Sequence, residues 1–129
     1  MKPLTMPIIA EAYEIIKNRE RWTQGFYQRD KDGNHCPWAE GYSFCALGAL
    51  TYCGDGDSFR SRCAIQRISE ELFGTNIQTV NDDNQVSPEQ AHNNVLRVYE
   101  TALKRWKDRE PTDQELFTVR GVYVGGPLA

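Results

Sequence analysis

A chain of 129 residues with 40% hydrophobic and 26% charged side chains has the size of one domain and is too apolar to remain disordered. Its net charge of -3 leaves no electrostatic footprint for nucleic acid or for an anionic membrane surface. No stretch approaches the roughly 20 continuous apolar residues of a membrane span, and Glu11 and Glu14 interrupt the first apolar run before a signal-peptide core forms, so a cytoplasmic setting is expected.

From Pro7 the residues Ile8, Ile9, Ala12, Ile15 and Ile16 recur at helical spacing, with Thr5 as a cap and Glu11, Glu14, Lys17 and Arg19 facing water. The next segment breaks at Gly25 and carries Asp32-Gly33, a pair suited to a tight turn, and reads as a short hairpin or an ordered loop. "SFCALGALTYCG" predicts a second helix with Ser43 as its cap and Gly54 as its stop, and Gly48 would permit close packing. Ser58 to Phe73 predicts a third, with Phe59, Ala64, Ile65, Ile68 and Leu72 on one side and Gly74 at its end. "TNIQTVNDDNQV" reads as a short extended piece through Ile77 and Val80 and then a turn.

Ser87, Pro88 and Gln90 form a strong helix start, and Ala91, Val95, Leu96, Tyr99, Ala102, Leu103 and Trp106 continue as a stripe. Beyond Pro111, "FTVRGVYV" alternates like a strand, or is a flexible end. These elements describe a mainly α fold: a compact bundle of about four helices with a small β-hairpin or ordered loop and a C-terminal strand or tail. Residues 1–110 would be a single α-rich domain and 111–129 an extension.

Three phrases, "RWTQG" at 21–25, "CALGAL" at 45–50, and Asn81-Asp82 followed by "AHNNVLRVYETAL", together resemble a family of small, uncharacterised bacterial and phage proteins, a domain of unknown function. The likeness covers about residues 8 to 106. It implies an α-rich intracellular protein of similar length and no assigned activity.

Cys45 is the first candidate for chemistry. A thiol at a helix N-terminus faces unpaired N–H groups and the positive end of the dipole, which favour the nucleophilic thiolate. His92 would be its base, with Asp82 or Asn81 orienting the ring, in a cysteine-dependent hydrolase or transferase. The plain alternative makes Cys45 a small buried hydrophobe and His92 a surface residue.

Cys36, Cys45, Cys53 and Cys63 are nine, eight and ten residues apart, whereas structural zinc sites pair ligands about two to four residues apart, so no metal site is expected and the thiols should be free. "DKDGN" resembles the start of a calcium loop, but its sixth and twelfth positions are His35 and Gly41 where an EF-hand needs glycine and glutamate. No glycine-rich phosphate loop is present, and no cofactor is expected. Trp22, Phe26, Tyr27, Trp38 and Tyr42 crowd the hairpin region, where such rings either cover a core or anchor a partner. The preferred reading is a regulatory or accessory protein that works by binding a protein partner; the cysteine enzyme is the alternative.

Overall fold

In the computed structural model, which describes residues 4–55, 57–119 and 121–124, the chain is mainly helical. The helices are α1 (Thr5–Ile16), α2 (Ala46–Gly54), α3 (Phe59–Phe73), α4 (Ile77–Asn81), α5 (Pro88–Arg105) and α6 (Asp113–Phe117). Two small antiparallel pairs complete the fold: β1 (Gln28–Arg29) with β2 (Ser43–Phe44), and β3 (Thr118–Val119) with β4 (Val122–Tyr123). The first pair sets Gln28 opposite Phe44 and Arg29 opposite Ser43.

The apolar stripes read from the sequence meet in one core. Ile8, Ile9, Ala12 and Ile16 of α1, Ala64, Ile65 and Ile68 of α3, and Val95, Tyr99 and Ala102 of α5 are buried together. Each fully buried aliphatic side chain of this kind is worth about 2 kcal/mol. Helix α5 packs against α1, α3 and α4, while α2 lies on α1. Leu116 of α6 is buried in the same core.

Several boundaries differ from the sequence reading. Ser43 does not cap α2, because Ser43 and Phe44 are drawn into the ladder with Gln28 and Arg29, and Cys45 takes the cap position instead. Thr5 lies within α1, and the first turn is capped from the far end of the chain: the Glu110 carboxylate accepts from the Thr5 and Met6 backbone N–H groups at 2.6 and 2.9 Å. Ile77 and Val80 belong to a helical turn rather than an extended piece. The Asn76 side chain accepts from the Thr79 N–H at 2.8 Å, and Gln66 Oε1 of α3 accepts from the Ile77 N–H at 2.8 Å, so a neighbouring helix supplies what the local sequence lacks. Ser87 caps α5 as expected, accepting from the Gln90 N–H at 3.1 Å. The alternating tail forms the β3–β4 pair, and residues 125–129 lie outside the described part.

Candidate functional site

Asn81, at the end of α4, is 1% exposed, and all four of its side-chain hydrogen-bonding positions are used. Its Oδ1 accepts from the Trp22 indole Nε1–H at 2.7 Å and from the Ala46 N–H at 2.9 Å. Its Nδ2 donates to the Thr23 carbonyl at 3.1 Å and to Asp82 Oδ1 at 2.8 Å. A flipped amide would set its N–H groups against two donors, so this network fixes the orientation. Around this amide Gln24 Nε2 donates to the Asn81 carbonyl at 2.8 Å and the Gly25 N–H donates to Asp82 Oδ1 at 3.0 Å. The three phrases of the sequence therefore converge on one buried asparagine.

The hairpin is pressed against α2 at Gly48. A Cβ there would stand 1.9 Å from the Tyr27 carbonyl oxygen, and that same carbonyl accepts from the Cys45 N–H at 3.2 Å. Only glycine lets the two backbones come this close. Where they part, a small cavity of about 160 Å³ opens, floored by Cys45, Ala46 and Leu47 and walled by Gly25, Phe26, Tyr27, Gln78, Asn81 and Asp82. Its lining is mostly apolar, with the Asp82 carboxylate and the Gln78 amide at one side.

Cys45 Sγ accepts from the Gly48 N–H at 3.3 Å, so the thiol occupies the N-terminus of α2 as the sequence suggested. Burial nevertheless pushes its pKa up, past the opposing pull of the Gly48 and Leu47 N–H groups, and the charge of Asp82 pushes the same way. Burial thus works against the thiolate that a nucleophile needs. His92 does not join it. The ring is buried against Trp22, with centroids 4.9 Å apart, and Nε2 lies 2.7 Å from the Ile16 carbonyl. A carbonyl only accepts, so Nε2 carries the proton and closes off the last carbonyl of α1. The amide of Asn81 serves Trp22 and Ala46 rather than the imidazole. His92 is thus neither a surface residue nor hydrogen-bonded to Cys45.

The five rings singled out in the sequence divide. Trp22 is core, whereas Phe26, Tyr27 and Trp38 are 44%, 56% and 38% exposed. Tyr27 and Trp38 are in contact, with centroids 6.4 Å apart. Tyr42 is half-buried and lies under Arg21, whose guanidinium is 5.0 Å from the ring centre. Gln78 and Leu47 are site residues that the sequence did not suggest. Reading α4 as extended hid the helical spacing that brings Gln78 to the same side as Asn81 and Asp82.

The four cysteines are free, and among the described residues no three His, Cys, Asp or Glu side chains come together as a metal site would require. Asp30 instead closes a turn, its Oδ1 accepting from the Asp32 and Asn34 N–H groups at 2.9 and 3.0 Å. No described helix is long and apolar enough to cross a membrane.

Fold and site together define a small, mainly α protein whose hairpin, second helix and fourth helix are tied at one buried amide beside an apolar pocket. The chain belongs to a family of unknown function, DUF6197, whose model matches residues 1–116. That match runs past Pro111 and takes in most of α6. No curated protein and no solved structure matches the chain.

Proposed function

We propose that this protein acts by binding, as a regulatory or accessory protein, and that the pocket over Cys45, Ala46 and Leu47 receives one apolar side chain of a protein partner. The observation that carries the reading is the pocket itself. It is lined by apolar groups, is about the volume of a single side chain, and is flanked by exposed Phe26 and Tyr27. A ring or branched aliphatic group seated there would be desolvated by the pocket on one side and by the rest of the partner on the other, as an interface anchor is. The likeness of the three phrases to small bacterial and phage proteins supports a cytoplasmic setting and a part in the contest between phage and host.

The second reading is a cysteine-dependent hydrolase or transferase using Cys45, His92, Asp82 and Asn81. In its favour stands one fact, that Cys45 Sγ sits at the start of α2 and borders the same pocket. Against it stand the raised thiol pKa and the engagement of His92 with Ile16.

Alkylation of each cysteine by iodoacetamide against pH, read by peptide mass spectrometry in the folded protein and in His92→Ala, separates the two. The binding reading expects Cys45 to react slowly at neutral pH and not to slow further without His92. Rapid reaction near pH 7 that falls in His92→Ala would favour the enzyme reading over the binding one, since mere loosening of the fold could only speed alkylation. For the pocket, p-cresol as a side-chain probe is expected to shift the amide resonances of Ala46, Leu47 and Gly25. If those amides stay still at millimolar p-cresol, the pocket does not take a side chain.

A further inference from the structure

Two grooves adjoin the pocket. The first, about 420 Å³, is lined by Trp38, Ala39, Thr51, Tyr52 and Asp55; it shares no residue with the pocket, but its Thr51 donates to the carbonyl of pocket residue Leu47 at 3.2 Å, one turn back on α2, and its Trp38 ring lies 6.4 Å from that of Tyr27. The second, about 470 Å³, shares Gly25 and Asp82 with the pocket and continues along Asp83 and Asn84 to Val86 and Pro88. The three cavities thus form a run across one face, with the rings of Trp38 and Tyr52 at one end, Phe26 and Tyr27 in the middle and two aspartates at the other end. Tyr52 is 42% exposed, so four large rings on this face are open to solvent.

The charged residues that line the run have one sign. Asp55, Asp82 and Asp83 line the run, and no lysine or arginine lines any of the three cavities. Arg29 lies over the Phe26 ring at 4.3 Å and keeps one positive charge at the edge of the run, with its N–H groups turned into the hairpin, donating to Thr23 Oγ1, the Gln24 carbonyl and the Gly33 carbonyl. The contrast is the groove between α3 and α6, where Arg62 and Arg67 stand among Phe59, Leu116 and Phe117. Among the described residues, every hydrogen bond to the Asp82 side chain falls on Oδ1, which leaves Oδ2 for an incoming donor.

Resting on the binding reading above, we infer that the partner presents an extended cationic segment to this face, with an apolar side chain in the pocket and arginine or lysine on either side of it, toward Asp82–Asp83 and toward Asp55. An extended strand sends alternate side chains to one surface, which matches a run of separate cavities better than one deep groove would. Aromatic faces take guanidinium groups by stacking, and the aspartates supply the charge. Complementary charge also sets how fast and with which partner such a segment docks.

The test uses the full chain labelled with ¹⁵N and three synthetic peptides of equal length, in which leucine alternates with arginine, with glutamate or with serine. The arginine peptide is expected to shift the Gly25, Ala46 and Leu47 amides and the Trp38 indole N–H, and to bind more weakly as salt is raised. Asp55→Asn/Asp83→Asn should weaken it about tenfold, the loss of two partly exposed charge pairs. That variant leaves the folding bonds of Asp82 alone and keeps a residue that tolerates the left-handed backbone of Asp55. Arg62→Ser, on the other groove, should change nothing. Equal binding of the arginine and glutamate peptides on this face would overturn the cationic partner while leaving the pocket reading intact. Shifts confined to the surroundings of Arg62, or no shifts with any peptide while p-cresol still enters the pocket, would overturn it as well.

Discussion

Two buried tryptophans in this molecule give their indole N–H to a side-chain oxygen that organises what lies around it, and the two acceptors sit in different settings. Trp22 donates to Asn81 Oδ1 at 2.7 Å, across 59 positions of sequence and in full burial. Trp106 is just as buried, but its acceptor is a partly exposed carboxylate: it donates to Glu115 Oε2 at 3.0 Å, across nine positions. Glu115 also takes two bonds from Arg109, at 2.6 and 2.9 Å, and completes a capping box with Thr112. The buried hub is neutral and long-range; the surface hub is charged and local. Losing a neutral partner in the interior strands groups that no water can reach, whereas losing a charged partner at the surface lets solvent take its place. Charge alone would have ranked the Glu115 cluster first, and burial reverses that order.

Asn81→Ala is where the contrast should be largest. It strands the Trp22 Nε1–H and the Ala46 N–H, and at about 1–3 kcal/mol for each buried donor a loss of about 3 kcal/mol is expected in urea unfolding. Glu115→Ala should lose less, about 1–2 kcal/mol, because Glu115 is partly exposed and water can reach the indole N–H of Trp106 and the Thr112 N–H once it is gone. Equal losses in the two variants would mean that water reaches the Asn81 hub and that the contrast drawn here is wrong.

Gly48→Ala comes next and tests the same junction through its backbone. The added Cβ would meet the Tyr27 carbonyl at 1.9 Å, and neither backbone has a side-chain torsion to relieve it. A loss of about 2 kcal/mol is expected, together with faster exchange of the Cys45 amide, whose bond to Tyr27 must lengthen. His92→Ala should be of similar size or somewhat smaller, about 1–2 kcal/mol, since it frees one buried carbonyl of α1 and the face of Trp22.

The two hubs also differ in how far they can be read from the sequence. Helices α1, α3 and α5 announce themselves by apolar spacing, and Ser87-Pro88 and Gly74 mark boundaries by local chemistry that the structure keeps. The capping box of Thr112 and Glu115 is equally local. The Asn81 hub is not, because nothing in "TVNDD" says that its amide faces a tryptophan 59 positions away, and the same letters read as a turn. Helix α4 escaped for a related reason: five residues carry too little periodicity, and part of its cap comes from Gln66 in another helix. For the site, the sequence brought forward Cys45, Asn81, Asp82, Phe26 and Tyr27, which do line one cavity. It also brought forward His92, whose bond to Ile16 belongs to a contact 76 positions long and is invisible without the fold.

The smallest effect separates the hubs by pH. Arg109 beside Glu115 holds its carboxyl well below the ordinary value of 4.5, with the Thr112 and Trp106 hydrogen bonds acting in the same direction and burial opposing them. A carboxyl whose folded pKa is depressed contributes stability that is fully present above its unfolded pKa. That contribution is lost as pH falls through the unfolded value toward the folded one. Unfolding free energy should therefore decline below about pH 4.5 by an amount that Glu115→Gln removes, and surface screening keeps that amount within about 1 kcal/mol. Asn81 has no proton to exchange and its one carboxylate partner is Asp82, so the difference between Asn81→Ala and the parent should be the same with Glu or Gln at position 115, from pH 7 down to pH 3. If that difference changes below about pH 4.5 and Glu115→Gln abolishes the change, the two hubs are coupled through α5, and the buried junction is not the independent unit that its hydrogen bonds describe.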